Sequence, residues 1–322
     1  MIRSLVKWPG GKGRVMPDLL PVLPKGRCLV EPFVGGASVF LNTDYRTYVL
    51  GDINPDLINL YRVVSRTPDE LISLARDLFS HRNDAENYLK IRALFNKPQG
   101  KRLRDSYLNV YRAAFFLFLN RHGYNGVVRY NQGGGYNVPY GKHKTTPYFP
   151  EAEIRLFHEK ANDTRAFFVC CSFESTIKVP TFSSGAVIYC DPPYLPVSET
   201  ANFTQYHTGP FGEKQHRQLV ASLLAANRET GAAVVISNSD TPLTREIYKD
   251  FLFQEIAVQR SVSANTQNRE KAKEVIGVLN VCDVSGRAVA GGCGHCPDAL
   301  ECMGSHSFGL EPHERFVDEG EF

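Results

Sequence analysis

The run Val187-Ile188-Tyr189-Cys190-Asp191-Pro192-Pro193-Tyr194 sets an acid, two prolines and an aromatic ring directly after strand-favouring residues. Asp191 offers an ionised acceptor, and Pro192, which has no N–H, presents only its carbonyl oxygen. Two acceptors side by side suit one NH2 group, and Tyr194 supplies a flat face for a planar ring. The exocyclic amine of a heterocycle is a poor nucleophile because its lone pair is delocalised into the ring. Holding both amine hydrogens favours a pyramidal nitrogen with the lone pair pointing outward. Preorganised acceptors of this kind stabilise a transition state without a separate general base. The bland alternative is a Pro-Pro turn carrying a surface acid. At about 5% usage per residue type, this order of four residues arises by chance in on the order of one such chain per thousand. The chemical reading is therefore preferred.

The elements that must position this loop can be read outward from it. Ala186 to Cys190 is a short apolar strand of the kind buried on both faces of a parallel sheet. Pro192 and Pro193 cannot continue it, and each ring fixes its own φ, so a stiff loop leaves the strand at Asp191. Open α/β sheets bind ligands at the carboxyl ends of such strands. Upstream, Cys28 to Phe33 reads as a strand, Val34-Gly35-Gly36-Ala37-Ser38 as a turn, and the apolar run to Leu41 as the start of a helix. That succession brings a backbone against a nucleoside cofactor. Tyr48 to Leu50 is a second strand ending in Gly51-Asp52, and an acid roughly 20 residues past the turn can bind ribose hydroxyls. There is no Gly-Lys-Ser/Thr phosphate loop and no full GxGxxG. Before all of these comes Lys7-Trp8-Pro9-Gly10-Gly11-Lys12, a bend whose glycines permit close approach to a ligand and whose Trp8 can cover one.

After Asp52 the rhythm changes. Asn54-Pro55-Asp56 opens a helix with Asn54 as cap, and Thr67-Pro68-Asp69-Glu70 reads as a capping box opening the next. Helical periodicity then runs, with interruptions, to Asn120. Within a βα repeat this is an insertion. It ends in Asn120 to Asn131, a glycine run, and Asn137-Val138-Pro139-Tyr140-Gly141-Lys142. From Lys97 to Lys144 there are nine Lys and Arg against one acid, Asp105. A basic stretch interleaved with Tyr, His and Asn is the footprint of a nucleic-acid surface, and glycine-punctuated loops carrying Arg, Asn and Tyr can read base edges.

The α/β pattern resumes with a strand over Ala166 to Cys171, a helix over Phe211 to Asn227, a strand over Ala232 to Ile236, and a closing pair at Phe253 to Gln259 and Val275 to Val281. The loop Val197 to Pro210, with Phe203, Tyr206 and His207, reads as a lid; His207 is taken as a loop residue rather than a catalyst. Residues 283–322 carry eight acids against Arg287 and Arg315. Cys282, Cys293, Cys296 and Cys302 could form a zinc knuckle, although their irregular spacing favours a loose acidic tail of unknown partner.

The 322 residues, 43% hydrophobic with net charge +3, allow a substantial core. No signal-peptide core opens the chain, and Ala113 to Leu119 is far too short to span a bilayer. Cys28, Cys170, Cys171 and Cys190 fall in expected strands as small hydrophobes. A cytoplasmic protein with reduced thiols and no membrane partner is expected.

In combination, the segments Lys7–Lys12, Leu29–Asn42, Asp52–Tyr61, Leu119–Asn131, Asn137–Gly141, Tyr148–Glu153, Tyr189–Tyr194, Ala201–His207 and Ile236–Arg245 resemble the DNA adenine methyltransferases of the Dam type. Their order is the α arrangement of that family. The resemblance covers roughly residues 5 to 281 and implies an α/β fold, with a Rossmann-like S-adenosylmethionine methyltransferase sheet and an inserted, mostly helical target-recognition domain. The implied domains are 1–58 with 145–282 for catalysis, 59–144 for target recognition, and 283–322 as the tail. It implies that Phe33, Gly35 and Asp52 contact S-adenosylmethionine, with Trp8 and Lys12 closing over it and Asp191 bordering it. Asp191, Pro192 and Tyr194 would hold a flipped adenine. Lys7, Tyr124, Asn125, Val127, Arg129 and Pro139 would lie against double-stranded DNA, Arg129 as the principal base reader, with a monomer acting at GATC. Two departures are local: Ala37 stands where the usual turn has glycine, and the distal hairpin, Gln132–Gly135 and Lys142–Lys144, differs from that of GATC readers. The resemblance is compatible with roles in restriction-modification or DNA repair.

Three other readings compete. Related loops serve any planar NH2, so transfer to cytosine N4 or to an amide nitrogen is the nearest rival. A non-catalytic DNA-binding protein that keeps the cofactor fold is the second, and a nicotinamide oxidoreductase a distant third.

Overall fold

The computed structural model describes residues 1–81, 83–97, 106–178, 185–195, 205–206, 209–258 and 272–279. The chain opens with a single turn at Lys12–Arg14 and the short helix α1 (Met16–Leu19). Then follow β1 (Cys28–Glu31), α2 (Ser38–Leu41), β2 (Thr47–Asp52), and helices α3 (Pro55–Arg66), α4 (Pro68–Ser80), α5 (Ala85–Phe95) and α6 (Ser106–His122). After α7 (Glu151–Asp163) the chain alternates through β3 (Arg165–Cys170), α8 (Phe173–Ile177) and β4 (Ala186–Cys190). A two-stranded pair, β5 (Gln205–Tyr206) and β6 (Gly209–Pro210), precedes α9 (Glu213–Thr230), β7 (Ala233–Ser239), α10 (Pro242–Ile247), β8 (Leu252–Val258) and β9 (Ala272–Leu279).

Seven strands form one sheet in the order β3-β2-β1-β4-β7-β9-β8. The first five are mutually parallel, and β9 inserts antiparallel between β7 and β8. This is the expected Rossmann-like methyltransferase sheet. Both faces of the central strands are covered: every residue of β4 and of β7 is buried, and β7 turns polar only in its last three residues, Ser237 to Ser239. The strand order reverses at β1, which pairs with β2 on one side and β4 on the other. Loops leaving β1 and β4 at their carboxyl ends must therefore diverge, and they open a crevice between them.

The helical block packs around α6, whose run from Ala113 to Leu119 is buried apart from Phe115. It shares one continuous apolar core with β1 and β2. Among the described residues no helix is long and apolar enough to cross a membrane. Asn54 caps α3 as expected, accepting from the Asp56 and Leu57 amides.

Several local expectations are corrected. Thr67 forms no side-chain cap on α4; its own amide instead closes α3 on the Val63 carbonyl, so one residue serves two helix ends with a backbone conformation suited to neither cap. The first strand stops at Glu31 because Pro32 cannot pair. Cys171 lies just beyond β3, and Cys170 is exposed. The strand after α9 runs on through Ser239 rather than ending at Ile236. Phe203, His207, and Cys282, Cys293, Cys296 and Cys302 lie outside the described residues, as do Lys101, Arg102 and Arg104.

Candidate active site and nucleic-acid face

Three carboxylates arrive at the mouth of the crevice from three adjacent strand ends: Glu31 from β1, Asp52 from β2 and Asp191 just past β4. Among the described residues, Lys12 is the cation paired with the last of them. Lys12, only 6% exposed, places its Nζ 2.6 Å from Asp191 Oδ1 and also donates to the Gly10 carbonyl at 3.2 Å. Among the described residues, that ammonium is the sole partner of a buried oxygen on Asp191. Burial raises the Asp191 carboxyl above its ordinary range, while Lys12 pulls it back down. The same ammonium lies 4.8 Å above the centre of the Tyr194 ring. Pro192 is buried beside it, and Tyr194 is half-buried.

The glycine turn after β1 is built around close approach. Gly35 has φ +44°, and a Cβ there would meet Trp8 Nε1 at 2.8 Å, so the indole approaches backbone that only glycine leaves bare. Ala37 occupies the left-handed region at φ 57°, the position where the usual turn has glycine. The Gly35 amide donates to Asp52 Oδ2 at 3.2 Å, and the Asn54 amide donates to Asp52 Oδ1 at 2.9 Å. Burial nevertheless pushes the Asp52 carboxyl up to about 6, against the pull of those amides. Phe33 stacks on Phe173 at 5.7 Å and meets Phe211 edge-on at 5.6 Å, which lines one side of the crevice with rings.

Motif reading missed Glu31. It is fully buried, its pKa is raised by burial and then by Asp191, and its Oε1 has no hydrogen-bond partner among the described residues. A lone acid inside a strand gives no local signal of such placement. Three carboxylates against one ammonium, with an unsatisfied acceptor among them, suit a ligand that carries positive charge and hydroxyl donors.

On the other side lies the segment that follows α6. It doubles back on itself through antiparallel bridges Gly123 to Tyr140 and Tyr130 to Tyr136, turning at Asn131–Gly135. Tyr136 and Val138 face the helices and are buried; Tyr124, Asn125, Arg129 and Pro139 are exposed, and Val127 is half-buried. Tyr124 and Asn125 are carried by a single 3-10 turn, and Val127, Arg129 and Pro139 by the doubled-back segment after it. Arg129 is braced by Asn137, donating to its Oδ1 at 2.8 Å and its carbonyl at 3.2 Å.

A buried amide joins the two sides. Asn120 Oδ1 accepts from the Lys7 amide at 2.8 Å, and its Nδ2 donates to the Lys7 carbonyl at 2.7 Å and the Gly126 carbonyl at 3.1 Å. Lys7 Nζ is itself held to the Arg121 carbonyl at 3.0 Å, and burial followed by the Arg121 charge lowers its pKa. The bend carrying Trp8 and Lys12 is thereby tied to the turn carrying Tyr124 and Asn125.

The basic block is less available to a polyanion than its charge count implies. Arg112 turns inward and forks onto Asp56, which Tyr130 also contacts at 2.6 Å. Arg121 donates through Nε and Nη2 to the Tyr148 carbonyl. Both guanidiniums are thus engaged within the protein, Arg112 on a buried acid and Arg121 on a backbone carbonyl, and are less available to phosphate.

Residues 8–263 match the family model of the D12 class N6 adenine-specific DNA methyltransferases. The chain is 47% identical over 275 residues to the DNA adenine methylase of Escherichia coli K12, covering 85% of this chain and 94% of that protein. It is 48% identical over 277 residues to the DNA adenine methylase of Salmonella typhi, with 85% and 94% covered. It is 42% identical over 278 residues to that of Vibrio cholerae, with 86% and 96% covered.

Proposed function

The chain belongs to the D12 class N6 adenine-specific DNA methyltransferases, and from that membership we propose that it uses S-adenosylmethionine to methylate an adenine extruded from duplex GATC. The supporting observation is the joining of Asp191 to the cofactor side of the crevice through Lys12. S-adenosylmethionine, when bound, supplies a methyl group on a cationic sulfonium. Asp191 and Asp52 give the crevice the negative character such a ligand requires, and Glu31, held toward its neutral form by burial, adds an acceptor with no partner among the described residues. Gly35 and Trp8 border it at the glycine turn, and Phe33 presents a ring edge to it. Asp52 is placed at a strand end to take ribose hydroxyls.

For the target base, Asp191 and the Pro192 carbonyl each accept one hydrogen of N6, and Tyr194 offers a ring for the base to stack on. Both hydrogens being held, the nitrogen lone pair points away from the base plane and toward the donor. Asp191, raised by burial, is also the acceptor on hand for the proton N6 sheds. Extrusion is required because N6 in a duplex lies within the base pair, beyond reach of a pocket at a strand end. Lys7, Tyr124, Asn125, Val127, Arg129 and Pro139 form the DNA face, with residues 59–144 as the target-recognition domain, residues 1–58 and 145–282 as the catalytic one, and a single chain acting on each site.

The deciding experiment compares Asp191→Ala, which removes the acceptor, with the parent protein. Transfer of labelled methyl to duplex DNA should fall at least about a thousandfold, while a non-reactive donor analogue binds within about tenfold of normal. Digestion to nucleosides must show the label on adenine N6; label on cytosine N4 would install the nearest rival. Sequencing of modified bases in DNA from expressing cells tests GATC.

A further inference from the structure

Glu274 lies on β9 opposite Ser239 of β7, at the edge of the sheet where the crevice opens. It is 8% exposed in a strand whose next two residues, Val275 and Ile276, are buried and apolar. A buried carboxylate is costly unless a donor compensates it. Here the donor is the Tyr194 hydroxyl, 2.9 Å from Glu274 Oε2. The chain just after Tyr194 is gripped as well: the Leu195 amide donates to Asn238 Oδ1 at 3.2 Å, and Ser239 Oγ donates to the Leu195 carbonyl at 2.8 Å. Asn238 and Ser239 are themselves 2% and 0% exposed. Tyr194 is therefore held on two sides, by β7 through the backbone of the residue that follows it and by β9 through its hydroxyl. Lys12 stands over one face.

We propose that Glu274 is a positioning residue for methyl transfer, fixing the plane of the Tyr194 ring so that it meets the target base at a set angle. Tyrosine has two side-chain torsions; anchoring the far end of the ring removes the freedom to swing with the base. The gain falls on orientation rather than on affinity for the donor. Glu274 acts through the Tyr194 hydroxyl it is bonded to; its charge also raises the Asp191 carboxyl, an effect that Glu274→Ala and Glu274→Gln remove alike and that therefore cannot distinguish them. This inference rests on the reading of the Asp191–Tyr194 loop as the adenine pocket.

Glu274→Ala and Tyr194→Phe should each lower kcat by about tenfold to a hundredfold, with donor-analogue affinity within about threefold of normal. The double variant should be no worse than the poorer single one, because both remove the same hydrogen bond. Glu274→Gln should recover most of the activity, since its amide oxygen still accepts from the hydroxyl. With 2-aminopurine in place of the target adenine, emission from the complex should be brighter in Glu274→Ala than in the parent, as the misaligned ring quenches less. Normal kcat in Glu274→Ala, additive losses, or Glu274→Gln as poor as Glu274→Ala would each overturn the proposal. A parent protein that places no methyl on adenine would instead overturn the reading of the pocket.

Discussion

Lys12 and Asp191 meet at 2.6 Å, so the N-terminal bend and the loop after β4 are joined by one buried ion pair. The pair sets the working state of the acid. Asp191 must be ionised to take up the proton that N6 sheds, yet burial favours its neutral form and Lys12 opposes that. In Lys12→Met the carboxyl loses its counter-charge and its pKa rises further. The acidic limb of the kcat/KM profile should move to higher pH, with activity at neutral pH down by about 10²–10³. An unmoved limb in the pH–rate profile would mean Lys12 does not control Asp191.

Asp52 offers a trade between stability and ligand binding. Its carboxyl rises from 3.8 to about 6 on folding. The neutral carboxyl's stabilising effect is full below 3.8 and is lost as pH climbs through about 6. At pH 8 the folded protein thus holds an ionised group that opposes folding. Asp52→Asn should be more stable than the parent at pH 8 by about 1–3 kcal/mol and little different near pH 4, while donor-analogue affinity falls at least about tenfold. Urea denaturation at both pH values checks the sign.

Asn120 carries no charge and touches no expected ligand, yet three hydrogen bonds converge on it. Asn120→Ala leaves the Lys7 amide and two carbonyls without that partner. A loss of about 2–4 kcal/mol is expected. Tyr124 and Trp8 should then move independently, raising KM for DNA and for donor together. Denaturation and steady-state kinetics measure both effects; a change in only one KM would show that the two segments are not coupled through this amide.

Arg112 and Arg129 come from the same basic block and should behave oppositely. Arg112→Met strands the buried Asp56 and should cost about 3–5 kcal/mol of stability, with the salt dependence of DNA binding unchanged. Arg129→Ala should leave stability intact and relax sequence preference at one base pair by about tenfold to a hundredfold. If Arg129→Ala instead weakens binding evenly over all sequences and reduces the slope of log K against log salt by about 0.9, the side chain contacts phosphate.

The strands, the order of the chain and the positions that carry chemistry were legible before any coordinates, because their signals are local. Prolines end β4 at Asp191, glycine opens the turn at Gly35, and Asn54-Pro55 starts a helix wherever it lies. Family membership could be read for the same reason: the motifs are short, and their order survives in the linear chain. Partnerships were not legible. That Lys12 reaches Asp191, that Tyr194 leans on Glu274, and that Asn120 joins Lys7 to Gly126 depend on segments far apart in the chain, which only the packed sheet and helices bring together. Charge was misjudged for the same reason. Arg112 counts toward a basic surface until α3 places Asp56 beside it. Residue type states what a side chain can donate or accept, but desolvation and distance choose its partner, and both are properties of the folded interior.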